Sequence, residues 1–291
     1  MKIRKALKKG TFLTWNNKRL WLLLFTVQFV FALMVLLPLR SRLLDWLGNS
    51  LLGEEILRGN GALVLVEFLI HHAQTVSTIK AVLMIAGVIY LVITLFLNGG
   101  ILSRFQSSGQ RSPFTFWSDC AALFGRFLRL FLLSLPFLFL ALFLFLVYQP
   151  LLSLLADRSE PAIVLLNALS LLLFIGSVFL IQMVFDYARI ITIHDRSRSM
   201  ARTVLNAWRF VFRHPLITLG VYGMMVLLGA LFFLIYQAAA TLFASIPLLA
   251  GWILFFWQQS YVFMRSGLRM MCLASETALY TAEAPAAPDA V

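Results

Sequence analysis

Apolar residues run along this chain in six long blocks, at 20–38, 81–97, 127–148, 162–185, 216–236 and 247–264. Charged and small polar residues gather between them. About 20 apolar residues of helix cross the hydrocarbon core of a bilayer, so each block predicts a transmembrane span. The first block follows basic residues, as a secretory signal would. Its apolar run is too long for one and ends Leu39-Arg40-Ser41-Arg42 without a small-residue cleavage site, so it reads as a retained span. Pro161, Pro215 and Pro247 stand at the starts of blocks, where proline suits the first turn of a helix. Pro136 lies inside the third block and predicts a bend.

The polar segments carry their own periodicity. Arg198, Arg202, Asn206, Arg209 and Arg213 recur every three or four residues, which is one face of a helix. Met200, Ala201, Val204, Leu205, Trp208 and Phe212 fall on the other. Such a helix lies in the membrane interface, its arginines toward head groups and its tryptophan at the boundary. A second is expected from Ser112-Pro113 through Phe116, Trp117, Ala121 and Phe124, with Ser118, Arg126 and Arg129 on its polar side. A third is expected at the N-terminus, where Lys2, Lys5 and Lys9 form a stripe before Phe12, Leu13 and Trp15. Each leads into an odd-numbered span. Each even-numbered span ends on a polar, any, small pattern: Asn98-Gly99-Gly100, Asp186-Tyr187-Ala188 and Arg265-Ser266-Gly267. The expected fold is therefore all-α and polytopic, with six transmembrane helices in three parallel hairpin repeats at about 1–108, 109–195 and 196–280. Each hairpin is preceded by a basic interfacial helix. Residues 1–280 form one transmembrane domain, and the Ala-, Pro- and acid-rich segment 281–291 reads as a disordered tail.

Composition removes the soluble alternatives. The 291 residues are 61% hydrophobic and 12% charged, with a mean hydropathy of +0.90. Soluble domains carry about 25% charged residues. Net charge is +12, from 24 Lys and Arg against 12 Asp and Glu. Because the basic residues lie between apolar blocks, the partner they imply is anionic lipid on the cytoplasmic side rather than nucleic acid. Their placement also orients the chain. The segment before the first span, the second-to-third and fourth-to-fifth connections and the tail after the sixth hold nearly all of them. The opposite side keeps only Arg40, Arg42, Arg58, Lys80 and Arg158. Both termini are expected in the cytoplasm. Cys120 and Cys272 form no metal-ligand spacing, and a disulfide framework is not expected of them.

The stretch Phe185-Asp186-Tyr187-Ala188-Arg189-Ile190, then Ala201 through Ala207-Trp208-Arg209-Phe210 and Arg213-His214-Pro215, resembles a group of prokaryotic six-span proteins whose function is unknown. It is similar to the membrane domain fused to some bacterial glycerophosphodiester phosphodiesterases, as is the Asn98-Gly99-Gly100 turn. The resemblance covers nearly the whole chain and implies a multi-pass protein of the bacterial cytoplasmic membrane. The phosphodiesterases carry a soluble catalytic domain opening on His-Arg-Gly. This chain has no such motif, so the resemblance implies architecture and not catalysis.

Few residues carry candidate chemistry. Glu67 and His71 would share a helix face but too few ligands join them for a metal site, and with His72 they read as part of an interfacial helix at 60–77. His194-Asp195 and His214 have no nucleophile arranged with them. Gln28, Asn167, Gln182, Gln258 and Gln259 suit hydrogen bonding between helices. No Asp, Glu, Lys or Arg lies near the middle of a block, which argues against an ion-coupled pump. By the repeat alignment Asn98, Gly99, Gly100, Asp186, Arg189 and Arg265 share one depth at the cytoplasmic end. They form a candidate polar cluster, either a structural network between helices or a head-group or ion site. The candidate lipid interface is Arg198, Arg202, Trp208, Arg209 and Arg213 with Trp117, Arg126 and Arg129, read first as positive-inside anchors and alternatively as a surface that binds anionic lipid or phosphate. No catalytic residue, metal or cofactor is expected. The favoured reading is a non-catalytic, lipid-associated membrane scaffold. A transporter or channel for a small solute or lipid, and a membrane-embedded lipid-modifying enzyme, are the alternatives.

Overall fold

The computed structural model describes residues 3–47, 66, 70, 73–106, 113–154, 160–195, 199–244 and 250–283. Among the described residues there are eight helices and no strand: α1 (Ile3–Asn16), α2 (Lys18–Leu47), α3 (Ala73–Gln106), α4 (Pro113–Leu154), α5 (Glu160–His194), α6 (Met200–Arg213), α7 (Pro215–Ala244) and α8 (Ala250–Glu283). Five stretches are long and apolar enough to cross a membrane: Lys18–Leu37, Ser77–Gln106, Thr115–Tyr148, Val164–His194 and Pro215–Leu242. The sixth predicted block falls mainly in α8, which is not one of the five. Gln258, Gln259, Ser260 and Tyr261 interrupt its apolar run.

The helices outrun the apolar blocks. α4 has 42 residues, and at 1.5 Å per residue it is about 63 Å long, against about 30 Å of hydrocarbon core. The second interfacial helix expected before the third span is therefore not a separate element. Its residues are the first turns of α4, which begins at Pro113 and continues through Pro136. The Asn98-Gly99-Gly100 segment, expected as a turn, is helical and lies well inside α3. α8 passes the predicted membrane boundary at 264 and continues to Glu283, so residues 281–283 are helical rather than tail. Residues 284–291 and the Glu67, His71, His72 group lie outside the described residues.

The chain divides into two compact units, Leu22–Thr94 and Met1–Trp21 with Leu95–Val291. In the first, Phe31 meets Tyr90 edge-on at 5.5 Å. Leu22, Met34 and Leu37 of α2 and Met84, Ile85 and Val88 of α3 are exposed, the pattern of a helix that buries itself in lipid. In the second unit α1 packs on α8, α4 on α5, α7 on α8 and α5 on α6. Its buried core is gathered at one end. It comprises the last three turns of α3, residues 183–192 of α5, one face of α6, Ala6 and Thr14 of α1, and nearly all of 270–280 in α8. The middles of α4, α5 and α7 instead expose Leu140, Phe143, Leu172, Leu173, Leu227 and Leu234.

Small residues draw these elements together. Close backbone approach between helices needs glycine, alanine or serine at the contact. A Cβ on Gly100 would lie 2.5 Å from the Cys120 sulfur and from the Phe116 ring. One on Gly267 would collide with the indole of Trp21. That indole stacks on Phe263 at 4.4 Å and donates its N–H to the Phe263 carbonyl at 2.8 Å and to Ser266 Oγ at 3.0 Å. The small residue of the first and third motifs is thus the seat of an aromatic side chain from the start of an odd-numbered span. Ala188, the small residue of the second motif, is fully buried.

Candidate functional site

The C-terminal part of α5 carries Asp186 into the core of the second unit, where it is 1% exposed. A buried carboxylate demands compensation. Arg189, one turn along the same helix, donates from Nη1 to Oδ1 at 2.7 Å. Arg269 of α8 forks across the carboxylate, Nη1 to Oδ2 at 2.8 Å and Nη2 to Oδ1 at 2.9 Å. Three charge-assisted hydrogen bonds in this geometry are the strong kind, and the planar guanidinium fork sets the distance between α5 and α8. The Asp186 charge holds the Arg269 guanidinium firmly protonated, above its ordinary range.

The expected set is rearranged in one respect. Asp186 pairs with Arg189, as the spacing suggests. The arginine that reaches it from α8 is Arg269 and not Arg265, which is exposed. Four residues are one turn, so the two arginines share a face of α8 and differ in depth by about 6 Å. The deeper-reaching partner is set by how far α8 is slid along α5. Asn98 is half-buried and takes no part in the Asp186 ion pairs. Gly99 and Gly100 are buried, but their place is the α3–α4 contact, against Leu123, Cys120 and Phe116. Beside that contact Ser103 donates to Asp119 at 2.7 Å, and Gln106 Nε2 donates to the Ile190 carbonyl at 2.9 Å, tying the end of α3 to the starts and ends of its neighbours.

Sequence reading missed the most unusual group in the cluster. Glu276 of α8 is fully buried. Among the described residues neither of its carboxylate oxygens accepts a well-formed hydrogen bond. The Tyr187 hydroxyl and Arg189 Nε are likewise buried without a partner. Burial first, and then the Asp186 charge, push the Glu276 carboxyl well above the usual carboxylate range. Arg269, the Cys272 thiol one turn earlier on the same helix and Arg189 pull the other way. Burial thus favours the neutral form of the Glu276 carboxyl. Burial also raises the Cys272 thiol, and burial followed by Asp195 pushes Tyr280 up to about 12. Cys120 and Cys272 are buried free cysteines. The signal that marks Glu276 is its setting in Cys272-Leu273-Ala274-Ser275-Glu276-Thr277-Ala278-Leu279-Tyr280, a helical run with no other charge and many small residues.

The expected lipid interface divides into three sectors on α6. Met200, Thr203, Val204, Ala207 and Val211 are buried against the protein. Leu205 and Phe212 are exposed and flank the half-buried Trp208, whose indole stacks on Phe212 at 5.2 Å. Arg202, Asn206, Arg209 and Arg213 are exposed on the remaining side. The apolar residues of this helix therefore do not share one face, as the sequence suggested: half of them pack inward. Arg198 lies outside the described residues. On α4, Trp117 and Arg129 are exposed and Arg126 is half-buried. On α1, Phe12 and Trp15 are exposed beside Lys8 and Lys9, and the Lys18 ammonium sits 4.3 Å from the Trp15 ring centre. An apolar cavity of about 580 Å³ opens between α4 and α5, with Trp208 in its lining. Comparisons with protein-family models, curated proteins and solved structures found no match to this chain.

Proposed function

We propose that the chain is a non-catalytic, six-span protein of the bacterial cytoplasmic membrane that gathers anionic lipid around its cytoplasmic face. The observation that carries this reading is the three-sector surface of α6. A helix in a soluble protein needs a buried side and a wet side. α6 has a third side, of exposed Leu205 and Phe212 with the half-buried Trp208 between them, lying between its buried and basic ones. That is the division expected where protein, hydrocarbon and head groups meet. Exposed Trp15 and Trp117 stand near the starts of α2 and α4 in basic surroundings, as an interfacial aromatic belt would. Each Lys or Arg near an anionic surface contributes about 1 kcal/mol of attraction. The sixth span is the first half of α8. The Asp186 cluster is structural in this reading, because its carboxylate is saturated by arginine hydrogen bonds and offers no open side to a substrate.

Lipid extracted with the protein in polymer-bounded discs tests the reading. Discs holding the wild-type chain are expected to be enriched in phosphatidylglycerol over the bulk membrane. The combined Arg202→Gln, Arg209→Gln, Arg213→Gln variant is expected to lose most of that enrichment while keeping its fold. Equal enrichment in both overturns the proposal.

A further inference from the structure

The cavity between α4 and α5 has the dimensions of half a bilayer. Its lining on α4 runs from Phe137 to Tyr148, twelve residues whose helical rise covers about 17 Å. One leaflet of hydrocarbon is half of about 30 Å. The walls are Leu140, Leu144 and Phe145 from α4, Leu173 and Phe174 from α5, and Trp208 from α6. Two serines line it, but both spend their hydroxyls on their own helix: Ser170 donates to the Asn167 carbonyl at 2.8 Å and Ser177 to the Phe174 carbonyl at 2.7 Å. With those hydroxyls spent, the side-chain polar atoms left in the lining are those of Tyr148 and Trp208. Phe145 and Phe174 stack at 4.8 Å and close the α4–α5 seam along it.

The inner end is different in kind. There Phe137 approaches Phe185 at 5.9 Å, and Trp208 brings the basic helix α6 to the lip. Arg202, Arg209 and Arg213 are exposed on that helix. Positive charge on α6 therefore stands at one end of an apolar slot one leaflet long.

We propose that this groove holds one acyl chain of an anionic glycerophospholipid from the cytoplasmic leaflet, its phosphate facing the arginines of α6 and its glycerol region against Trp208. The inference rests on the reading of α4 and α5 as membrane spans. It goes beyond the enrichment of annular lipid, because it names a single retained molecule and its site.

Native mass spectrometry of detergent-purified protein, given equal phosphatidylglycerol and phosphatidylcholine, reads that molecule directly. The wild-type chain is expected to retain one phospholipid, with about a tenfold preference for phosphatidylglycerol. Ala141→Trp and, independently, Ser177→Phe fill the groove and are expected to abolish retention. Both are expected to leave phosphatidylglycerol enrichment in polymer-bounded discs unchanged. Brominated-chain phosphatidylglycerol is expected to quench wild-type fluorescence more than that of Trp208→Phe. Retention unaltered in either well-folded filled variant, or retention without head-group preference, overturns the assignment. Loss of enrichment in discs with retention intact would instead overturn the annular reading and leave the groove standing.

Discussion

Glu276 is a residue whose chemistry the fold has inverted. Burial favours the neutral form of its carboxyl, so between the ordinary value of 4.5 and its raised value the folded chain binds a proton that the unfolded chain has lost. Stability then falls as pH rises through that window. Glu276→Gln keeps the shape and removes the ionisation, so it is expected to raise the midpoint of thermal unfolding in detergent at pH 7 to 8. The gain is expected to shrink toward pH 4.5, and a variant less stable than wild type at both ends would show that the carboxylate is charged and paired. Asp186, by contrast, is held by two arginines. Asp186→Ala leaves Arg189 buried without its carboxylate, a loss of about 3 kcal/mol, toward the lower end for broken buried pairs because Arg269 is 44% exposed. Asp186→Asn retains hydrogen bonding and is expected to lose less. Unfolding midpoints of the two variants, measured together, check the order.

At the scale of the elements, contacts depend on what the helices lack. α1 presents Ala6, Gly10 and Thr14 along one face, and a Cβ on Gly10 would lie 2.9 Å from the Ser275 backbone nitrogen and 3.0 Å from its Cα. Backbone does not move aside as the end of a side chain does. Gly10→Leu is expected to cost about 1–3 kcal/mol, as overpacking does, and to make α1 the first segment cut in limited proteolysis. Protection equal to wild type would mean that α1 docks elsewhere. The same logic explains the glycines of α3. Their motif was legible in the sequence as a recurring polar, any, small pattern, yet its reading as a turn failed. In water a pair of glycines weakens a helix; against a neighbouring helix the pair admits Phe116 and Cys120, and that packing outweighs propensity. Likewise α6 was visible from its arginine spacing, whereas the split of its apolar residues between a buried and an exposed side was not. A hydrophobic residue on a helix has the same signature whichever apolar phase receives it.

For the whole molecule the testable quantity is which segments lie on which side of the membrane. Reporter fusions after Ser107 and at the C-terminus are expected to read cytoplasmic, and one at Arg158 to read external. An external signal at Ser107 would reverse the proposed orientation. The sequence by itself determined the class of the molecule, its long apolar helices and the basic segments between them. It could do so because transfer into a bilayer and attraction to its surface depend on local composition, which is written along one dimension. Only the tertiary structure decided that Arg269 and not Arg265 reaches Asp186, since that choice turns on the sliding of α8 along α5 by a single turn. It alone showed that the stretch beyond the sixth block is core and not tail. Residues 270–280 carry the composition of an ordinary polar-ended helix, and they are buried because α1, far away in the chain, folds back over them. Burial of that kind is a property of the partner surface, and no window of the sequence contains both sides of it.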